Sequence, residues 1–211
     1  QLDLLPSVPS LEVQRRLRES SPELVQVSST CTTALFFRMS PAPHFSISDR
    51  QNIIRVLDRE SLIRVVLGRG DQPAVTFSPA ILKKWIGYSG PDATTSPVQN
   101  PNRSVSSSAQ NADPPKLGYY AHPTNHKIAQ FLASEIGEVM GRSLELVPRE
   151  WATFLQDTRE KQFEMVLGSL CGMTDPLDWA EVFVANGPVN WSHWNEPAYD
   201  SLVARGKESA T

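Results

Sequence analysis

The sequence lacks the hallmarks of several large classes of protein. Its 211 residues carry a net charge of −3 with no block of basic residues, which argues against a nucleic-acid binder and its usual basic face. No window approaches the roughly 20 apolar residues that cross a bilayer. The chain opens at Gln1 without the basic start and apolar segment of a signal peptide, so the sequence itself leaves targeting open. With 40% hydrophobic and 20% charged residues, the composition is that of a soluble globular protein.

Cysteine and histidine are also scarce. The two cysteines fit either free thiols or one disulfide, and their number alone does not decide between these. Of the four histidines, His122 and His126 are four residues apart, but we expect Pro123 to interrupt a helix between them. A zinc site needs about four ligands in a tetrahedral arrangement, and no such set can be assembled. We therefore predict no metal site and no cofactor.

A polar stretch divides the chain. Residues 88–115 are dominated by Ser, Pro, Asn, Thr, Asp and Ala and contain few apolar side chains. This composition predicts a long surface loop within one domain, and it permits the loop to be mobile. A linker between two domains is the alternative interpretation.

The first part of the chain mixes helix and strand patterns. Apolar spacing predicts a helix over residues 9–19, alternation predicts a strand over 23–28, and an apolar run predicts a second strand over 33–39. Two consecutive helices are predicted over 46–56 and 58–67. Gly68 follows the second of these, in the position where glycine commonly ends a helix.

After Lys116 the pattern alternates regularly between strand and helix. Such alternation predicts right-handed crossovers and a mainly parallel sheet flanked by helices, an α/β fold. The predicted strands are 117–121, 143–147 and 163–167, and the predicted helices are 125–140, 151–160 and 197–205.

The third of these strands leads into an unusual segment, SLCGMTDPLDW, residues 169–179. Ligands of open parallel sheets bind beyond the carboxyl ends of the strands. We therefore predict that the loop Gly168–Trp179 lies where a ligand would bind.

Several stretches, taken in order, resemble the oligopeptide- and dipeptide-binding proteins of ABC importers. The match covers most of the chain, and its strength lies in the order of motifs that are individually weak. The family's strand pair around a cysteine is similar to VSSTCTTALFFRM, and its "EWxTFLDxR" helix is similar to the stretch from Trp151 to Arg159. The other matching segments are SDRQNIIRVLDRESLIRVVLGRGDQPAVTFSP (48–79), NHKIAQFLASEIGEVMGRSLELVPREWATFLQDTREKQFEMVLGSLCG (125–172) and HWNEPAYDSLVARG (193–206).

The resemblance implies a lobe of the type II periplasmic-binding-protein fold. In this family two lobes close around the ligand, and residues 1–211 resemble the second lobe alone. Some relatives carry a cystine in this lobe, and Cys31 and Cys171 fall at the matching places. The resemblance therefore implies a Cys31–Cys171 disulfide.

Three positions depart from the family pattern. The family's peptide binders place an aspartate two residues after the loop cysteine, where it pairs with the peptide α-ammonium; here that position is Met173. Asp175 or Asp178 could take this role. The family's loop tryptophan is replaced by Leu170, and its strand arginine by Leu167. The pocket wall is thus expected to be more apolar than in a general oligopeptide binder, which fits either a changed ligand or simple divergence.

The function implied by the resemblance is peptide binding for uptake, without enzymatic activity. The expected partners are a peptide or peptide-like solute and ABC permease subunits, with no nucleic acid. The expected location is the periplasm or cell envelope, with the membrane reached only through a lipid anchor outside this chain. The residues expected to contact the ligand are Trp151, Arg159, Leu170, Cys171, Gly172, Met173, Thr174 and Asp175.

Three other functions are weighed against this one. The lobe could bind a non-peptide solute, such as a metal complex or a modified peptide. It could serve as a protein–protein interaction module without a transport role. A thiol hydrolase built on Cys171, with His126 or His193 as the base and Asp175 as the orienting acid, would require a free thiolate.

Overall fold

The computed structural model describes residues 29–68, 71–74, 76–79, 82 and 113–210. The helix predicted over 9–19 and the strand predicted over 23–28 lie outside these residues, as does most of the polar stretch 88–115. In chain order the elements are β1 (Thr32–Phe37), α1 (Ile47–Val56), α2 (Arg59–Ser61) with its π-helical continuation (Leu62–Leu67), β2 (Lys116–Tyr120), α3 (Pro123–Met140), β3 (Glu145–Arg149), α4 (Trp151–Arg159), β4 (Met165–Leu170), α5 (Pro176–Glu181) and α6 (Pro197–Ala210).

Four strands form one mixed sheet in the order β1-β4-β2-β3. Strand β2 pairs in parallel with both β3 and β4, while β1 pairs with β4 in the antiparallel direction. The α/β class and the mainly parallel sheet expected from the sequence are therefore confirmed.

Each face of the sheet is covered by a separate apolar layer. On one face, α3 packs Ile128, Leu132 and Ile136 with Leu117 and Tyr119 of β2. On the other face, Phe154 of α4 packs with Trp191 and Val166. The crossover β2-α3-β3 and the crossover β3-α4-β4 thus place their helices on opposite sides, as in a doubly wound sheet.

Two strands lie closer to the carboxyl end of the chain than the sequence predicts, because strand pairing sets their ends. The strand predicted over 143–147 is observed at Glu145–Arg149, and the one predicted over 163–167 at Met165–Leu170. In the second case the ladder with β2 begins at Met165, and pairing with β1 continues to Leu170. Phe163 is instead buried in a core layer. Local apolar content marks the strand, but its partners set its ends.

Helix ends follow local signals closely. Ser46 caps α1 through a capping box with Asp49. His122 caps α3 and Pro123 is its first residue, so the proline begins the helix instead of interrupting it, contrary to the sequence prediction. Gly141 ends α3 in the left-handed conformation with φ 64°.

The helix predicted over 58–67 is continuous but changes its winding. After α2, the chain widens into a π-helical turn, and Gly68 N–H donates to the Ile63 carbonyl over 2.7 Å, one residue further back than in an α-helix. Gly68 adopts φ 62° and ends the segment. In the described part of the chain, every helix is too short or too polar to span a bilayer.

Candidate functional site

The order of the strands indicates which edge of the sheet can hold a ligand-binding site. From β2 the chain crosses to β3 on one side and then returns to β4 on the other side of β2. The connections that follow β2 and β4 therefore diverge at the carboxyl edge of these neighbouring parallel strands. In open α/β sheets this divergence is where ligands bind. Residues Cys171–Asp175 follow β4 at this edge, and Ala121 and His122 follow β2.

The loop Cys171–Asp175 is anchored at its start by a disulfide. Cys171 is bonded to Cys31, which directly precedes β1, as the resemblance implied. One position into the strands, the Thr33 and Ser169 hydroxyls are 2.7 Å apart and hydrogen-bonded. The first residue of the loop therefore has its position fixed by β1, an element from the other end of the described chain.

The middle of the loop is held from the core side. The Trp179 indole N–H donates to the Met173 carbonyl over 3.0 Å, and Trp179 itself is buried. The Met173 side chain packs against the same apolar layer. Gly172 is exposed with φ 82°, a left-handed conformation that favours glycine. The backbone of the loop is thus fixed while its outer surface stays open to solvent.

The end of the loop is a helix start. Asp175 caps α5, with its Oδ1 accepting the Leu177 N–H over 2.8 Å, and Pro176 is the first helical residue. The Asp175 side chain is exposed, and Asp178 is also exposed in the first turn of α5. One oxygen of the carboxylate expected to meet a ligand therefore already has a structural hydrogen bond.

An aromatic surface lies at the same edge of the sheet. Trp151, the first residue of α4, is 48% exposed. Its ring meets Tyr120, the last residue of β2, edge-on at 5.6 Å, and stacks on Phe154 at 5.7 Å. The ring of His122 stacks on Tyr120 with the centroids 6.5 Å apart. A half-exposed tryptophan held by two aromatic neighbours presents a rigid apolar face to a ligand.

The edge also carries a buried polar pair. Tyr119 is fully buried, and its hydroxyl lies 2.6 Å from Nδ1 of His126 in α3. Burial raises the pKa of the Tyr119 phenol, which keeps it neutral and able to donate this hydrogen bond. The pair ties the first turns of α3 to β2 behind the aromatic surface.

The structure brings together most, but not all, of the residues expected at the site. Trp151 and the loop residues Cys171 to Asp175 share the carboxyl edge. Leu170 is only 7% exposed and belongs to the core layer. Arg159 is the last residue of α4, about 12 Å along the axis from Trp151, toward the opposite edge of the sheet.

Two residues of the aromatic surface were not anticipated from the sequence. Tyr120 and His122 lie at the end of β2, and the contact of Tyr120 with Trp151 depends on the pairing of β2 with β3. Their position at the end of a predicted strand could have revealed them. Ligands of open parallel sheets bind beyond the carboxyl ends of the strands, and this applies to the end of β2 as it does to the loop after β4.

The structure contradicts the thiol hydrolase interpretation, because Cys171 cannot act as the nucleophile. Cys171 is oxidised, and a disulfide sulfur has no thiolate to attack a substrate. The two histidines considered as bases are engaged elsewhere, His126 with Tyr119 and His193 with the Thr158 carbonyl at 2.8 Å. Within the described ranges, no three His, Cys, Asp or Glu side chains are grouped so that they could hold a metal ion.

This architecture is that of one lobe of the type II periplasmic-binding-protein fold. A solved structure of Haemophilus influenzae OppA in complex with the peptide RPPGFSPFR superimposes with a TM-score of 0.75 at 18% identity, covering 94% of this chain and 41% of that one. The likeness to this solved structure establishes the fold.

The sequence comparisons give the same class of relatives. The periplasmic oligopeptide-binding protein OppA of Escherichia coli is 21% identical over 97% of this chain and 39% of its own length. The periplasmic murein peptide-binding protein MppA of the same organism is 24% identical over 100% of this chain and 40% of its own length. The resemblance to the peptide-binding proteins of ABC importers is confirmed. The chain spans about two fifths of the length of these relatives, and no protein-family model matches it.

Proposed function

We propose that this chain is the ligand-binding lobe of a peptide-binding protein that serves an ABC importer. The observation that carries the proposal is the similarity to two oligopeptide- and murein-peptide-binding proteins along nearly the whole chain. The fold and the exposed surface at the carboxyl edge of the sheet are consistent with it.

The proposed binding surface combines the aromatic face of Trp151 with the loop Gly172–Asp175. A flat aromatic surface accepts varied apolar side chains, while exposed main-chain groups of a fixed loop can pair with a peptide backbone. Both features suit ligands that share a backbone but differ in sequence. A second lobe would close over this surface and complete the site.

The remaining parts of the proposal follow from the class of relatives. The protein acts by binding and not by catalysis, and it delivers its ligand to membrane permease subunits. Its location is the periplasm or cell envelope, as the names of the relatives suggest. Met173 occupies the position at which the family pattern has an aspartate. We therefore propose a preference for ligands that do not place a charged amine against this loop.

The test is calorimetric titration of the complete polypeptide with pools of short peptides, repeated with Trp151→Ala. We expect binding by the parent and a dissociation constant about 5- to 30-fold larger for the variant, because the ligand loses an aromatic contact worth roughly 1 to 2 kcal/mol. Ile54→Ala is the matched control, because Ile54 is 54% exposed but lies on α1, away from this edge.

Two results would contradict the proposal. If no peptide pool binds the complete polypeptide, the ligand is not a peptide, and a non-peptide solute becomes the better interpretation. If peptides bind and Trp151→Ala has no more effect than Ile54→Ala, peptide binding is retained but the proposed surface is wrong.

A further inference from the structure

A histidine joins the connection between β1 and α1 to the turn that follows α3. His44 lies in this connection, and Arg142 follows Gly141 in the turn between α3 and β3. Nη2 of Arg142 lies 2.7 Å from Nε2 of His44. The His44 ring also meets the ring of buried Phe45 edge-on, with the centroids 5.1 Å apart. Because Arg142 precedes β3, the contact lies at the edge of the sheet opposite the candidate site.

The chemistry of the two groups fixes the protonation state of His44 in this contact. A guanidinium has only donors and keeps its positive charge at every ordinary pH. Nε2 of His44 must therefore be the acceptor, so the ring is neutral and carries its proton on Nδ1. Protonation of Nε2 would place two N–H donors and two positive charges 2.7 Å apart. The contact can therefore exist only while His44 is neutral.

The charged groups that face His44 come from four different segments. Partial burial lowers the pKa of the His44 imidazole, the positive charge of Arg142 lowers it further, and Arg38 adds to this effect. Glu164, just before β4, and Asp49, in α1, act in the opposite direction. Glu164 is already paired with Arg38 over 3.2 Å, and Asp49 accepts the main-chain N–H at the N-cap of α1 over 2.9 Å. These surroundings therefore favour the neutral ring that the contact requires.

The connection is fixed near both of its ends by hydrogen bonds of its main chain. Met39 N–H donates to the Ser192 carbonyl over 2.8 Å, and Ser46 N–H donates to the Asp49 carboxylate over 2.9 Å. Between these points, residues 41–43 are exposed. The contact with the turn after α3 is made next to this exposed stretch. Its loss would therefore loosen the connection while leaving the neighbouring strand and helix in place.

We propose that the contact between His44 and Arg142 is a pH-sensitive switch. At neutral pH it holds the connection, residues 39–46, against the turn between α3 and β3. When the imidazole takes up a proton from solvent, the contact breaks and the connection moves away from the turn, while the sheet stays paired. The switch lies away from the candidate site, so the inference does not depend on the nature of the ligand.

NMR of the histidine ring nitrogens in the complete polypeptide tests the closed state of the switch. The signals of His44 are assigned by their loss in His44→Gln. We expect the tautomer with its proton on Nδ1 at about pH 7.5, because Nε2 accepts from Arg142. A proton on Nε2 at this pH would overturn the proposal, since this nitrogen could then not be the acceptor.

Amide hydrogen exchange of the same polypeptide, read by NMR as protection factors, tests the opening. The Met39 and Ser46 amides report on the connection, and the amides of β2 report on the sheet. Between about pH 7.5 and pH 4.5 we expect protection of the two reporters to fall at least about fivefold, with the midpoint at which the His44 ring takes up its proton. Protection within β2 should stay constant.

His44→Gln is the matched variant for the exchange experiment. Its side-chain oxygen can accept a hydrogen bond from Arg142 but does not titrate, so protection of the connection should no longer depend on pH. Constant protection in the parent, or an equal loss in His44→Gln, would overturn the proposal. An opening midpoint that differs from that of the His44 ring would assign the effect to another group. A parallel loss within β2 would mean acid unfolding of the sheet and would also overturn it.

Discussion

His193 is a partly buried histidine that joins two distant segments. Its Nε2–H donates to the carbonyl of Thr158 in the last turn of α4, over 2.8 Å. The residue adopts φ 53°, a left-handed conformation that asparagine also tolerates. Burial lowers the pKa of the His193 imidazole, and the positive charge of Lys161 lowers it further, against a raising effect of the bond to Thr158.

The lowered pKa predicts a pH dependence of stability. Below about pH 6.5 the unfolded chain protonates this imidazole while the folded protein resists protonation. The contribution of His193 to the free energy of unfolding is therefore greatest above pH 6.5 and falls as the pH drops toward the folded pKa. His193→Asn removes the titrating group, so urea unfolding should show a parent–variant difference that is larger at about pH 7.5 than at about pH 5. Parallel pH profiles for the two proteins would contradict this expectation.

Gly168 is a residue whose lack of a side chain makes room for a neighbour. A Cβ at this position would overlap the ring of Trp191, which is buried between Phe36 and Phe154. We expect Gly168→Ala to lower the free energy of unfolding by about 1 to 3 kcal/mol, since the ring must shift within a packed layer. Denaturant unfolding measures this loss.

Gly137 provides the matched control for that substitution. It lies within α3, where an added Cβ would meet only the Arg142 carbonyl at 3.3 Å. Gly137→Ala should change stability by no more than about 1 kcal/mol, because alanine favours a helix. Equal effects of the two substitutions would show that Trp191 does not limit the space at Gly168.

Among the elements, β1 and β4 are joined by the covalent bond between Cys31 and Cys171. Replacing both cysteines with serine should lower the free energy of unfolding by about 3 to 5 kcal/mol, because the unfolded chain gains the freedom of a very long loop. Urea unfolding under non-reducing conditions measures the difference. Reduction of the parent should reproduce it, and titration of two free thiols in the denatured, unreduced parent would refute the bridge.

The start of α1 is an element boundary that depends on one hydroxyl. Ser46 Oγ accepts the Asp49 N–H over 3.1 Å, and an Asp49 carboxylate oxygen accepts the Ser46 N–H over 2.9 Å. Ser46→Ala should cost about 1 kcal/mol, since a helix N–H loses its acceptor. Ser48→Ala is the control, because Ser48 is exposed within the helix. Thermal unfolding that shifts equally for both would exclude a specific capping effect.

At the scale of the whole molecule, the fold was predictable where local signals and the regular alternation of elements agree. Ser46 and Gly141 mark helix ends that the structure retains, and the strand–helix alternation after Lys116 gives the parallel core of the sheet. The end of β4 was not predictable, because it depends on pairing with β1 from more than a hundred residues away. The six-residue α5 was missed, since one and a half turns carry too little apolar periodicity.

The candidate site was predictable only in part for the same reason. The edge rule places the loop after β4, but the burial of Leu170 is set by the core layer that α5 and Trp191 complete. Arg159 belongs to the same helix as Trp151, yet the helix axis separates them across the sheet. Tyr120 meets Trp151 because β2 pairs with β3, and no local pattern encodes this pairing.

The bond between Cys31 and Cys171 also changes what a protease can do to this molecule. It closes a covalent ring across a sequence separation of 140 residues. A single cut anywhere within that ring leaves the two pieces attached, so nicked and intact chains migrate together on a non-reducing gel and separate only after reduction. Release of a fragment from within the ring requires two cuts, and the polypeptide can therefore be opened once without losing either flank of the candidate site.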